Sequence, residues 1–185
     1  MKTIQEIEKE YEKYPIKTDV VTNLDEFLAF IEIGIDDADV NIKDFEKEIK
    51  ANKREKILSQ VQNFFYFMNI TEGNDFYETD DEILKECISY TSQIKRFYER
   101  MRGIATEENC RELTRLVDFS CDYYSTQTDY YDYLRNRNEL TSRGVSLYDP
   151  RKEDNRDTFL EFMRRKVEEF EKQTVVIFEK GKGRL

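Results

Sequence analysis

The sequence predicts an all-α fold, a single antiparallel bundle of five to seven helices that spans residues 1–185. Three observations carry this prediction. Apolar residues recur at three- and four-residue steps along most of the chain, which is the spacing of one helix face. Capping residues, acids and glycines stand where these segments begin and end. The 12 tyrosines and 13 phenylalanines supply large side chains for a core, although 38% of the residues are charged.

The first predicted helix covers residues 2–14. Its apolar residues Ile4, Ile7 and Tyr11 fall on one side, and Pro15 ends it because proline cannot continue a helix.

A second helix is predicted to begin at a cap supplied by Thr22 or Asn23. The apolar run 27–35 could also be a buried strand, but its acidic first turn and the lack of a partner strand favour a helix. The acids of 36–39 indicate a break. Helical spacing then resumes over 42–69, as one bent helix or as two helices.

The next helix is predicted to start at the capping box Thr79–Glu82, with Gly103 just beyond its end. Its apolar face comprises Ile83, Cys87, Tyr90, Ile94, Phe97 and Met101. A long helix from Glu107 to about Ser142 follows, with Thr106 as its N-cap. Because only two or three residues connect the two helices, they should form an antiparallel hairpin.

The long helix has two contrasting faces. Its core face is predicted to hold Leu113, Leu116, Val117, Ser120, Tyr124, Gln127, Tyr131 and Leu134. Within about 40° of the centre of the opposite face lie Asp118, Asp122, Asp129 and Asp132. Arg111 and Arg115 share this outer face and could neutralise its beginning. Of the tyrosines on the helix, Tyr133 points away from the core and is the best candidate for an exposed contact.

The last helix is predicted to start near Asp154 or Asn155. Its apolar residues are Phe159, Phe162, Met163, Val167, Phe170 and Ile177. The β-branched stretch 174–178 could instead form a short strand, and residues 180–185 should be a mobile basic tail. The basic cluster 164–166 is diluted by neighbouring glutamates, which is typical of a solvated face.

Composition argues against catalysis and cofactor binding. The chain has no histidine, which removes the commonest general base and every His-containing metal site. No glycine-rich phosphate-binding motif occurs. Cys87, Cys110 and Cys121 are odd in number and widely spaced, and we expect buried free thiols. The chain also lacks a signal-peptide pattern and an 18-residue apolar run, so a cytoplasmic protein is expected.

Charge is distributed unevenly. The net charge is −10, and residues 19–48 alone hold ten acids and two lysines, so residues 1–41 could form an acidic sub-lobe. Residues 37–48 also match the oxygen-ligand spacing of a calcium loop. However, Ile42 occupies the position that needs glycine, and Asp44 a position that is normally apolar. Chance spacing in an acidic linker is therefore the better interpretation, and no metal site is predicted.

These features give a leading functional hypothesis, a non-catalytic inhibitor encoded by a phage or mobile element. Its acidic surface would mimic DNA and block the nucleic-acid-binding channel of a basic protein such as a Cas effector or a restriction enzyme, as anti-CRISPR and anti-restriction proteins do. The predicted partner-binding residues are Asp36, Asp37, Asp39, Asp44, Asp118, Asp122, Asp129, Asp132 and Tyr133. Neither direct nucleic-acid binding nor membrane binding is expected.

Two other hypotheses belong to different classes. A helical scaffold or regulatory subunit would dock a partner protein through an apolar groove, and loss of Phe64 or Phe97 would then abolish binding. A metal-dependent enzyme would use carboxylates alone, and Asp39→Ala would then remove Mg²⁺ or Ca²⁺ binding.

Overall fold

The computed structural model describes residues 2–16, 21–66, 74–123 and 155–182, with side chains placed at 2–16, 21–54, 82, 84–123 and 155–174. Within these ranges the chain forms five helices: α1 (Ile4–Lys13), α2 (Leu24–Tyr66), α3 (Asn74–Ile104), α4 (described over 110–123) and α5 (Arg156–Lys182). These same ranges contain no strand, which confirms the predicted all-α class. The antiparallel bundle and its total of five to seven helices stay predictions.

Helix α1 begins at a capping box that the sequence analysis missed. The Glu6 amide donates to the Thr3 hydroxyl at 3.3 Å, and the Thr3 amide donates to the Glu6 carboxylate at 2.7 Å. The hydrogen bonds from Thr3 lower the pKa of Glu6. The inner face of the helix buries Ile7 and Tyr11, as predicted, and the helix ends at its C-cap Tyr14, just before Pro15.

Helix α2 runs unbroken, so the acidic break predicted at 36–39 is wrong, as is the alternative strand at 27–35. The reason is that the apolar face continues through the acids: Phe27, Ile31, Ile35 and Ala38 are all buried. Aspartate lowers helix propensity only slightly when its side chain points to water. The continuous helix also excludes two separate helices over its described length.

The start of α2 is capped from both near and far in the sequence. The Asn23 side chain accepts from the Glu26 amide at 2.9 Å, so Asn23 rather than Thr22 is the N-cap. The Thr22 amide and hydroxyl donate to the Glu26 carboxylate at 2.6 and 2.8 Å. In addition, the Glu107 carboxylate accepts from the Leu24 amide at 3.2 Å, although the two residues are 83 positions apart.

Helix α3 starts earlier and ends later than predicted. Thr79–Glu82 lies inside the helix rather than at its beginning, because a capping-box pattern is also compatible with helix interior and arises readily among so many acids. Gly103 lies in the last turn rather than beyond it. The predicted apolar face is confirmed where side chains are described, since Cys87, Tyr90, Ile94, Phe97 and Met101 are buried.

The turn before α4 is held by Asn109 rather than by a Thr106 cap. The Asn109 side chain accepts from the Thr106 amide at 2.7 Å and donates to the Ile104 carbonyl at 2.9 Å. Within the described residues, the buried Thr106 hydroxyl has no hydrogen-bond partner. Helix α4 packs beside α3, where the Tyr98 and Ser120 hydroxyl oxygens lie 2.7 Å apart, and the antiparallel direction of this hairpin stays a prediction.

Helix α5 continues through Thr174, so the predicted strand at 174–178 is wrong. The Thr174 hydroxyl donates to the Phe170 carbonyl at 2.9 Å, one helical turn earlier, which reconciles this β-branched residue with the helix. Residues 180–182 of the predicted tail form the last helical positions. Asn155 precedes the helix, and its carbonyl accepts from the Phe159 amide at 2.8 Å, as the sequence predicted.

The chain divides into two compact units, and α2 and α3 each contribute a segment to both. Unit 1 comprises Met1–Ile35 and Ile94–Leu185, and unit 2 comprises Asp36–Gln93. The core of unit 1 includes an aromatic cluster formed by Tyr11, Phe119, Tyr123, Phe159 and Phe162. Unit 2 buries Ala38, Leu84, Cys87, Tyr90 and Thr91. The prediction of one domain with an acidic sub-lobe over 1–41 stays a prediction.

None of the helices, over the residues described, is both long and apolar enough to cross a membrane.

Candidate functional site

Four of the predicted partner-binding aspartates lie on α2 in unit 2. Asp36, Asp37 and Asp44 are exposed, and Asp39 is half-buried. A helix fixes the direction in which each of these side chains projects, so the carboxylates form an ordered set rather than a flexible linker.

The same segment cannot form a calcium loop in this conformation. Residues 37–48 are helical throughout, whereas EF-hand ligands require a loop that turns sharply at its sixth position. The side chain at that position, Ile42, is half-buried on the helix. Among the residues described, no group of three or more histidine, cysteine or acidic side chains is arranged to hold a metal ion.

The exposed face of α2 changes sign along its length. Beyond Asp39 it presents five exposed cationic side chains, Lys43, Lys47, Lys50, Lys53 and Arg54, and the exposed acids Asp44 and Glu46 lie between the first two. Lys47 forms an ion pair with Asp44 at 2.8 Å, and both side chains remain mostly exposed. Acids and lysines therefore alternate over 43–47, and over 50–54 the exposed charged side chains are all cationic. A helical-wheel plot of the unbroken helix would have revealed this reversal, but the predicted break at 36–39 hid it.

Two further predicted aspartates lie on α4 in unit 1. Asp118 is half-buried, and the exposed Asp122 accepts a hydrogen bond from the Tyr14 hydroxyl at the end of α1. Burial raises the pKa of Tyr14, and the hydrogen bond to Asp122 raises it further. Asp122 thus has a structural role in joining α1 to α4. The remaining members, Asp129, Asp132 and Tyr133, lie outside the described residues.

The sequence suggested that Arg115 could neutralise an exposed acidic row, but the structure gives its side chain a different role. Its side chain is only 14% exposed and pairs with Glu112 at 3.2 Å. The guanidinium also donates to the Tyr11 carbonyl and lies 4.3 Å from the centre of the Tyr11 ring. It therefore fastens α4 to the C-terminal end of α1, where the carbonyl groups favour a cation.

The basic cluster of α5 forms ion pairs with glutamates of the same helix. Arg164 contacts Glu161 at 2.6 Å and Glu168 at 2.7 Å, and Arg165 contacts Glu161 at 2.9 Å. Hydrogen bonds from these arginines lower the pKa of Glu161 to about 2. The cluster is thus the solvated face that the sequence predicted, with its charge largely balanced on the helix itself.

The cysteines are only partly as expected. Cys87 and Cys110 are buried free thiols, but Cys121 is exposed. It follows the buried Ser120 on α4, so the next 100° step of the helix carries its side chain out of the core face. Phe97, which the scaffold hypothesis made diagnostic, is 8% exposed and belongs to the core of unit 1. The side chain of Phe64 lies outside the described residues.

Neither a protein-family model, nor a curated protein, nor a solved structure matches this chain.

Proposed function

We propose that the chain is a non-catalytic inhibitor that binds a basic, nucleic-acid-binding protein in the cytoplasm and blocks the channel that holds phosphates. Anti-CRISPR and anti-restriction proteins of phages and mobile elements are the class it would join. The observation that supports this proposal is the pair of exposed carboxylates Asp36 and Asp37 on a continuous helix. No ion pair or hydrogen bond involves either side chain among the described residues.

Unpaired carboxylates are well suited to receive lysines and arginines. A carboxylate that is already paired within the chain would have to lose that partner before it could bind another protein. These two aspartates only have to lose bound water. The helix holds Asp37 and Asp44 on neighbouring sectors about 10 Å apart along its axis. That distance is close to three rises of about 3.4 Å along one strand of duplex DNA, so the spacing is compatible with sites built for phosphates.

Asp44 is a secondary member of this acidic set. Its ion pair with Lys47 spans one helical turn between side chains that are 60% and 76% exposed. Such exposed pairs contribute only about 0.2–1 kcal/mol, so a basic partner can replace Lys47. Asp122, by contrast, would have to give up the Tyr14 hydroxyl, so Asp36 and Asp37 are the first targets for mutation.

The proposed mechanism is steric and electrostatic competition. Long-range attraction between the acidic side chains and a basic channel would raise the association rate, and added salt would lower it. Nucleic acid and the inhibitor could not occupy the channel together. The partner would keep its own catalytic residues intact, because the inhibitor only covers them.

The test compares two charge-matched variants. Asp36→Asn/Asp37→Asn removes the proposed contacts, and Glu12→Gln/Glu108→Gln removes two exposed acids elsewhere. Binding to purified Cas effectors and restriction enzymes would be measured at about 50 and 300 mM salt, spanning the range in which screening becomes strong. The first variant should bind at least about tenfold more weakly, since each lost charge contact is worth roughly 1 kcal/mol.

The control variant should bind like the wild type. Equal weakening in both variants would mean that only net charge matters. Binding that persists in the Asp36→Asn/Asp37→Asn variant, or that ignores salt, would contradict the proposal and turn attention to apolar docking.

A further inference from the structure

The inner face of α1 covers an aromatic surface that α4 and α5 form in unit 1. The Tyr11 ring lies 5.4 Å from that of Phe119 on α4 and 5.6 Å from that of Phe162 on α5. Ile7, one turn earlier, is fully buried, and within α1 these two are the buried side chains. The helix therefore buries few side chains for its length of 10 residues.

Polar groups both hold α1 in place and weaken its docking. The Arg115 guanidinium donates to the Tyr11 carbonyl, and the Tyr14 hydroxyl donates to the Asp122 carboxylate. On the inner face, however, the buried Tyr11 hydroxyl and the buried Nε of Arg115 have no hydrogen-bond partner among the described residues. Water can bond to the Tyr11 hydroxyl once α1 moves away, so the docked helix forgoes that bond.

Helix α1 is too short to stay helical on its own. Isolated helices of fewer than about 12–15 residues are marginal in water, and α1 has 10 residues. Its capping box, formed by Thr3 and Glu6, stabilises only the first turn. Undocking and unfolding of α1 should therefore be a single event. The backbone hydrogen bonds within α1 then report directly on whether the helix is docked.

The surface beneath α1 is held together by contacts that do not involve α1. The Phe119 ring of α4 lies 6.1 Å from Phe159 and 5.7 Å from Phe162, both on α5. Arg100 of α3 binds Glu171 of α5 through two hydrogen bonds, of 2.9 and 2.8 Å. Elements with many buried contacts open at a higher free energy than elements with few. Helices α4 and α5 can therefore stay folded while α1 is open.

We propose that α1 is a displaceable strap, which opens as one unit while α4 and α5 stay folded and thereby uncovers the aromatic surface of Phe119 and Phe162. In the closed state α1 itself occupies this surface, so the opening equilibrium of α1 controls access to it. This device does not depend on the proposed inhibitor function, because that function rests on Asp36 and Asp37 in unit 2.

Amide hydrogen exchange of the full chain at neutral pH tests the opening. The amides of residues 8–13 in α1 would be compared with those of residues 114–121 in α4. The α1 amides should exchange at least about 100-fold faster, because they need only the local opening. Low concentrations of urea should change their rate little, since that opening exposes little surface. Exchange of both sets at the same rate, with the same urea dependence, would overturn the proposal.

Two matched tyrosine variants separate local opening from global unfolding. Tyr98→Phe removes the buried hydrogen bond with Ser120, which the opened state retains. It should speed exchange over 114–121 by about tenfold and leave exchange over 8–13 unchanged. Tyr14→Phe removes the bond to Asp122, which opening breaks, so it should speed exchange over 8–13 by about fivefold. Equal acceleration of both sets by Tyr98→Phe would overturn the proposal.

A third variant should hold the strap open. Ile7→Asp places a charge at a fully buried position of α1, and Gln5→Asp adds the same charge at an exposed position. Ile7→Asp should lose protection over 8–13 and bind the apolar dye anilinonaphthalene sulfonate, while residues 114–121 stay protected. Gln5→Asp should keep α1 protected and bind no dye. Protected α1 amides in Ile7→Asp, or complete loss of protection over 114–121, would contradict the proposal.

Discussion

The Tyr11 hydroxyl is a polar group buried among aromatic rings. Its ring packs at 5.4 Å from Phe119 and 5.6 Å from Phe162, and the residue is only 6% exposed. The hydroxyl has no hydrogen-bond partner within the described residues. A buried polar group of this kind costs about 1–3 kcal/mol. Tyr11→Phe keeps the ring and its contact with Arg115, so we expect it to stabilise the protein by about 1 kcal/mol at pH 7.

The same residue predicts a loss of stability at alkaline pH. Burial raises the pKa of Tyr11 from 10 to about 12 in the folded protein. The folded state therefore binds the Tyr11 proton more tightly than the unfolded state does. The resulting contribution to the free energy of unfolding is fully present below pH 10. It is lost as the pH rises from about 10 to 12, by at most about 3 kcal/mol. Tyr11→Phe should remove this loss. Some pH dependence will remain, because burial also raises the pKa of Tyr14 and Tyr123.

The assay is urea denaturation at pH 7 and at pH 11, with Tyr98→Phe as the matched control. Unlike Tyr11, Tyr98 places its hydroxyl oxygen 2.7 Å from that of Ser120 in a buried hydrogen bond, so its removal should cost about 1–2 kcal/mol. If Tyr11→Phe destabilises the protein as much as Tyr98→Phe does, the hydroxyl has a partner and the reasoning fails. If Tyr11→Phe loses as much stability between pH 7 and pH 11 as the wild type does, the argument from the Tyr11 pKa is refuted.

Three further substitutions test the packing and the capping, all by urea denaturation. A Cβ at Gly34 would lie 3.1 Å from the Tyr98 ring, so Gly34→Ala should be neutral to about 2 kcal/mol destabilising despite its higher helix propensity; clear stabilisation would show that the ring moves freely. Thr3→Ala removes the cap that Glu6 completes and should cost about 1 kcal/mol, with Thr3→Ser restoring most of it; no loss would mean that the end of α1 frays. Phe162→Ala should cost about 3–5 kcal/mol because the side chain is fully buried; a loss below 1 kcal/mol would contradict its place in the core.

The sequence predicted the helical class and much of the core because those depend on local spacing. The faces of α3 and α5 were found from three- and four-residue steps alone, as was the buried start of α4 at Leu113, Leu116 and Val117. The spacing of apolar residues is a local property of the sequence, so it identifies a buried face without knowledge of which helices pack together.

Local signals failed where two structures fit the same residues. The acids of 36–39 resemble a linker, yet they leave the apolar spacing from Ile35 to Ala38 intact, and the helix follows that spacing. The β-branched stretch after Thr174 resembles a strand, but without a partner strand among the described residues it continues the helix. At 36–39 the continuing apolar face of the helix outweighed the local preference.

Long-range contacts could not be predicted from one sequence. The Glu107 cap on Leu24 joins residues 83 positions apart, and the hydrogen bond between Tyr14 and Asp122 joins residues 108 apart. Nothing in the local pattern around Asp122 distinguishes it from an aspartate that faces water. The local pattern therefore could not separate Asp122, which accepts a hydrogen bond from Tyr14, from Asp36, which has no bonded neighbour among the described residues.

The central proposal is that Asp36 and Asp37 compete with nucleic acid for a basic channel. The most direct measurement is displacement of a fluorescent duplex from a Cas effector by increasing concentrations of the wild-type chain, the Asp36→Asn/Asp37→Asn variant and the Glu12→Gln/Glu108→Gln control. The wild type and the control should displace the duplex at similar concentrations, and the aspartate variant should need about tenfold more. Equal displacement by all three proteins, or a duplex that stays bound while the wild-type chain is also bound, would contradict it.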